Sequence, residues 1–350
     1  MGTFARRKAL RLAAGAATLA LLASGCGDDG DDGDDDDDSA AEEDPDESPA
    51  PDATEDPPAD ELEPVTLTVG DVLGTPAQFL EFAVNSGFFE EQGLDIQVEA
   101  NPGGAANIPG VEAGDFQIAG SNVVSILLAR SQGLELKMVS AGTFGGTTPE
   151  TDFAQILVAD DSDIQGPEDL DGRVMAINTL ANIAEVTARA AIQNAGGSHE
   201  NIEFVEIGFP DMIPALQDGQ VDAIFEIEPF VAVGLEQGLR SVLAPYAGTE
   251  PGMAIGSYFS SDEYIAENPE VIDRFIAGIS AAGEYVAANP DEFRDALVEI
   301  GGQDPEVAAQ VVIPEWGGPV HVQSVELIGN LMVEFGMLDE VPAIEDVVYQ

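Results

Sequence analysis

Residues 65–98, VTLTVGDVLGTPAQFLEFAVNSGFFEEQGLDIQV, hold a complete strand–turn–helix–strand unit. Val65, Leu67 and Val69 alternate with Thr66 and Thr68, the period of a half-buried strand. Thr75 is placed as an N-cap and Pro76 as the first helical residue, where a missing N–H costs nothing. Phe79, Leu80 and Ala83 mark the apolar face of a helix that stops near Gly87, and residues 95–99 alternate again as a second strand.

The theme repeats outward from this unit. Strands are expected at 116–119, 136–140 and 155–159, with Ser121 and Asn122 capping an apolar helix over 123–130. A second series follows. It has strands at 174–177, 202–207 and 221–225, and helices after Asn178-Thr179, after Pro210 and from Pro229. Beyond Ser257 the pattern reads as helices only, at 262–268, 269–288, 290–300, 305–312 and 322–335, several opening on proline. Strands alternating with helices predict open α/β sheets, whose ligands bind outside the carboxyl ends of the strands. Two such series with a helical tail predict two lobes and a cleft.

The N-terminus carries a different signal. Arg6, Arg7, Lys8 and Arg11 precede an apolar run over 12–23, shorter than the roughly 20 residues that span a bilayer. Small residues Ala23, Ser24 and Gly25 then lead to Cys26, the only cysteine of the chain. The pattern resembles a bacterial lipoprotein signal, which implies cleavage before Cys26 and lipid attachment, such as palmitate, to it; Ala23 stands where that family prefers Leu. Arg6-Arg7 also fits twin-arginine export, so that route and the general secretory route both stay open. Residues 28–64 are almost wholly Asp, Glu, Pro, Ala, Gly and Ser, and cannot bury enough apolar surface to offset their ordering entropy. They read as an extended acidic spacer.

A single cysteine excludes an internal disulfide and any multi-cysteine metal cage. The formal charge is −56, from 67 acidic and 11 basic residues. Twenty acids lie in the spacer and four bases in the signal segment, leaving 47 acids, 7 bases and about −40 on residues 65–350. That charge argues against nucleic-acid binding, which uses Lys and Arg to neutralise phosphates. It also suggests a salt-rich habitat, where screening limits self-repulsion.

The segment 87–96, GFFEEQGLDI, resembles a motif of periplasmic substrate-binding proteins of the sulfonate, nitrate, taurine and thiamine-precursor branch. Residues 114–119 (GDFQIA), 168–173 (EDLDGR), 215–223 (ALQDGQVDA), 228–230 (EPF) and 268–270 (NPE) resemble further segments of it in the same order. The resemblance implies an α/β, bilobed periplasmic-binding-protein-like fold (type II). Two open lobes would be joined by two crossovers, near 154–160 and 254–260, with C-terminal helices. The expected division is a lipoprotein signal over 1–25, an anchored acidic spacer over 26–64, lobe 1 over 65–157 and 257–350, and lobe 2 over 158–256. It also implies an ABC permease as partner, a membrane contact through the N-terminal lipid, and a monomer.

Helix N-termini facing the cleft offer unpaired N–H groups. They single out Thr75, Gln78, Ser121, Asn122, Asn178, Thr179 and Asn182 as ligand-binding candidates, though simple capping explains any one of them. Glu228 is the sharper candidate for an amine or aminopyrimidine, with Glu226 competing for the role. Thr143 lines the expected first-lobe wall with Phe144, and Trp316 reads as either a stacking platform or core. His199 and His321 fit no triad or metal spacing, and no cofactor motif occurs. The expected activity is capture of a small polar organic solute, amine-bearing, zwitterionic or aminopyrimidine-like. A pyrimidine-synthase-like enzyme, disfavoured by the missing cysteines, and a ligand sensor are the alternatives.

Overall fold

The computed structural model describes residues 64–349. The signal segment, Cys26 and the spacer up to residue 63 lie outside the described residues. The chain opens with β1 (Val65–Val72), α1 (Thr75–Asn85), β2 (Leu94–Asn101), α2 (Gly104–Ala113), β3 (Ile118–Asn122), α3 (Val123–Ser131) and β4 (Leu136–Ala141). A second series contains β5 (Ala154–Val158), β6 (Val174–Ile177), α4 (Ile183–Asn194), β7 (Glu203–Glu206), α5 (Phe209–Gln217), β8 (Ala223–Ile227), α6 (Phe230–Glu236), β9 (Arg240–Leu243) and α7 (Pro245–Thr249). Then come β10 (Gly256–Ser261), α8 (Asp262–Glu267), α9 (Pro269–Ala288), α10 (Pro290–Ile300), α11 (Pro305–Ala308), α12 (Val322–Glu334) and α13 (Ile344–Val347).

Two five-stranded sheets result, ordered β2-β1-β3-β10-β4 and β7-β6-β8-β5-β9. β1 pairs in parallel with β2, Val65 opposite Leu94 through Val72 opposite Asn101, and with β3 on its other side. Each sheet has one antiparallel strand inserted beside its third parallel strand: β10 between β3 and β4, and β5 between β8 and β9. Both arrive from the other lobe, since β5 follows β4 and β10 follows β9 in the chain.

This corrects two expectations. Residues 154–158 are not a connector closing lobe 1 at Leu157. They form a fully buried strand of the second sheet, and the crossover precedes it, over 142–153. The uninterrupted apolar run Ile156-Leu157-Val158 is the pattern of a strand covered on both faces. Likewise 256–261 is a strand of the first sheet, not the start of a purely helical tail.

Helix α1 buries Phe79, Leu80, Phe82 and Ala83. Phe79 stacks on Trp316 with ring centroids 4.4 Å apart, and Phe293 of α10 meets both rings edge-on. Helices α9 and α10 thus close the outer side of the first sheet, in one apolar cluster with Leu67, Val69, Ile118 and Ala232 of α6. Helix α12 packs against α3 and α4, one from each lobe, and the second cluster runs continuously through all three. Among the described residues no helix is long and apolar enough to cross a membrane.

Candidate functional site

The carboxyl ends of the strands of both sheets converge on a cavity of about 70 Å³ between the lobes. From the first lobe its wall takes Asp71 and Val72 at the end of β1, Ser121 and Asn122 at the end of β3, Gly142, Thr143, Ser257, Tyr258 and Trp316. From the second it takes Phe153, Asn178, Asn182, Phe209, Phe225, Ile227 and Tyr246. Six of these side chains are aromatic. No lysine, arginine or histidine lies on the wall.

The polar groups are held by their own helix starts. Asn122 Oδ1 accepts from Ser125 N at 2.9 Å, capping α3. Asn182 Oδ1 accepts from Ala184 N and Glu185 N, capping α4, while its Nδ2 donates to Asn178 Oδ1 (2.7 Å) and Thr179 Oγ1 (2.9 Å). With Oδ1 so engaged, Asn178 Nδ2 reaches across the cleft to Pro102 O at 3.3 Å. Capping and cleft contact are therefore combined in one asparagine pair. Thr143 pairs with Trp316 through its backbone. The Ser121 hydroxyl and Trp316 Nε1 are buried without a hydrogen-bond partner.

Asp71 is the acid on the wall. It is 2% exposed; Oδ2 accepts from Tyr258 Oη at 2.9 Å and Oδ1 from Val72 N at 2.7 Å. Burial pushes its carboxyl up to about 7, against the lowering effect of the hydrogen bonds from Val72 and Tyr258. Gly120 makes room for it: a Cβ there would collide with Asp71 Oδ1.

Of the residues singled out from sequence, Ser121, Asn122, Thr143, Asn178 and Asn182 lie on the wall. Thr75, Gln78, Thr179 and Glu228 do not. Gly74, not Thr75, is the N-cap of α1; Thr75 is the first helical residue, fully buried with its hydroxyl unpartnered. Gln78 turns toward Gly301 and Gln303. Thr179 is spent on Asn182. The amine-binding role expected of Glu228 is corrected as well. Its Oε1 accepts from Val312 N (2.9 Å) and its Oε2 from Ala232 N (3.1 Å), so both oxygens serve backbone. Burial raises its carboxyl to about 7, the same two hydrogen bonds and the positive charge of Arg294 acting in the opposite sense. Glu226 is fully buried, with both oxygens unpartnered, and burial holds it well above the usual carboxylate range.

Sequence reasoning passed over Asp71 and the aromatic wall. Asp71 carried one signal, an acid at the carboxyl end of a period-two strand. Phe153, Phe209, Phe225 and Tyr246 carried none, because buried rings in α/β units read as core.

Two lobes, each an open sheet with one antiparallel strand that arrives from the other lobe, around a polar and aromatic cavity, define the bilobed periplasmic-binding class. The alkanesulfonate-binding protein SsuA from Xanthomonas axonopodis pv. citri has this fold, with a TM-score of 0.67 at 19% identity over 82% of this chain and 96% of that one. The chain belongs to the NMT1/THI5-like family, whose model matches residues 78–293. Its relatives include a formylaminopyrimidine-binding protein of Halalkalibacterium halodurans, 22% identical over 63% of this chain and 65% of that protein. A 4-amino-5-hydroxymethyl-2-methylpyrimidine phosphate synthase of Candida albicans is 23% identical over the same shares. The chain thus matches about two thirds of the length of these relatives.

Proposed function

We propose that this protein is the extracytoplasmic solute-binding component of an ABC importer, capturing a small nitrogen-bearing planar solute between its lobes and delivering it to a permease. The observation that carries this reading is the wall itself: one buried carboxyl, five side chains of Ser and Asn type, six aromatic rings, and no cationic side chain. An amino group can donate to Asp71, a flat ring can lie among the aromatics, and a sulfonate or nitrate would meet a carboxylate instead of an arginine. The names of two relatives, one a pyrimidine-binding protein and one a pyrimidine synthase, support the same ligand class. Binding is favoured over synthesis because the wall holds neither histidine nor cysteine.

The cavity lies between the two lobes, so a ligand enters when they part and is held when they close. Signal cleavage before Cys26 and acylation of that residue would tether the binding domain through the acidic spacer. Cys26→Ser should move the protein from the membrane fraction to the soluble one; retention on the membrane would refute the anchor.

The deciding experiment is a thermal-shift screen of the full-length chain. A bound ligand raises the midpoint by an amount set by its concentration relative to Kd. 4-Amino-2-methylpyrimidine and related amines should raise it, and alkanesulfonates and nitrate should not. A shift with the simple anions alone would overturn the ligand class.

A further inference from the structure

Glu228 stands at the seam between the lobes and bonds to both. Its backbone O accepts from Thr75 N at 3.1 Å, joining the end of β8 to the first turn of α1. Its Oε1 accepts from Val312 N, next to Val311 in the apolar core of the first lobe. Its Oε2 accepts from Ala232 N of α6, in its own lobe. Gly74 allows this approach, since a Cβ there would press on Glu228 O and the Ile227 side chain. The next residue back, Ile227, lines the cavity. A residue 1% exposed, with three acceptor atoms each spent on a different segment, is a junction and not a wall group.

We infer that Glu228 is a clasp that holds the two lobes shut on the bound solute, a positioning residue that sets the ligand's residence time without touching it. This rests on the binding function proposed above. The physical reason is directional. While the lobes are apart the carboxylate can keep Ala232 N, but Val312 N and Thr75 N lose their acceptors to water. Closing exchanges water for two hydrogen bonds in a site from which water is excluded, and opening must reverse that exchange. The cost of the clasp therefore falls on opening, and so on release.

Trp316, the only tryptophan, lies on the cavity wall and reports binding by fluorescence. Stopped-flow measurement with 4-amino-2-methylpyrimidine on the full-length chain separates association from dissociation. Glu228→Gln places an amide donor where one of two N–H groups needs an acceptor. It should speed dissociation about tenfold and leave association within about twofold. Val312→Pro removes the donor from the other side and should speed dissociation in the same way, which protects the test should one variant fold poorly. Unchanged dissociation in both variants, or a loss confined to association, overturns the clasp. Should no aminopyrimidine alter the fluorescence, the ligand reading fails by itself. The clasp is then read without ligand, from distances between spin labels at Glu112→Cys and Glu200→Cys in a Cys26→Ser background. Glu228→Gln should lengthen and broaden that distribution, and an unchanged distribution overturns the clasp.

Discussion

At the scale of single residues, hydrogen-bond partners separate Asp71 and Glu228, two acids buried alike. Both are pushed up to about 7 by desolvation. Glu228 spends both carboxylate oxygens on backbone N–H groups of two elements, whereas Asp71 keeps its place on an open wall and shares Oδ2 with Tyr258. Asp71→Asn should therefore weaken binding of an amine-bearing ligand roughly 10- to 100-fold, since hydrogen bonds to charged groups are worth about 1.5–3 kcal/mol. Titration calorimetry on wild type and variant checks this, and an unchanged affinity would remove Asp71 from the site. Asp71 and Glu228 look alike in the sequence, each an acid at the end of a strand. Only the direction of the side chain tells them apart, and that depends on which element lies opposite.

At the scale of elements, the helix starts carry the site. Asn182 caps α4 with its amide oxygen and orients Asn178 by donating from its amide nitrogen. Asn182→Ala should cost about 1–2 kcal/mol of stability, the usual value for a lost N-cap, and should also weaken ligand binding by freeing Asn178. Urea unfolding and calorimetry on the same variant check both. A stability loss with unchanged binding would restrict Asn182 to capping. The cap at Asn122 was legible in the sequence because an N-cap is a local signal, a polar residue before an apolar helical period, whereas the start of α4 was read from Asn178-Thr179 and its cap proved to be Asn182. The strands β5 and β10 were misplaced because pairing is not local. Ile156-Leu157-Val158 reads as a strand wherever it goes, and nothing within it says that β8 and β9 will receive it. The aromatic wall was hidden for the same reason, as its rings come from strands, helices and loops far apart in the chain, such as Phe153, Phe225 and Tyr246, which meet only in the folded lobe.

At the scale of the whole molecule, charge and proton uptake act together. Asp71 and Glu228 at about 7, and Asp152 at about 6, are all raised above their ordinary values, chiefly by burial. The folded state therefore holds more protons than the unfolded state between about pH 4 and 7. Stability contributed this way is fully present below pH 4 and is lost as pH rises through 6 and 7. The thermal midpoint should thus fall between pH 5.5 and 8.5, and Asp152→Asn should flatten the lower part of that slope. A midpoint that rises over this range would contradict the burial of these groups. Self-repulsion from a net charge of −56 adds to the same trend, and the midpoint should climb between low and molar salt as screening increases.

The sequence by itself determined the α/β alternation, the two series, the helical tail, the family resemblance and the exclusion of disulfides. Each rests on periodicity, local caps or composition, which a linear chain displays in full. The tertiary structure decided which strand joins which sheet, that Asp71 faces the cavity, and that Glu228 ties two lobes together. Those depend on contacts between residues far apart in the chain, such as the 84 positions separating Glu228 from Val312. No local pattern encodes the partner, because the energy that selects it comes from burial completed only when both lobes have folded.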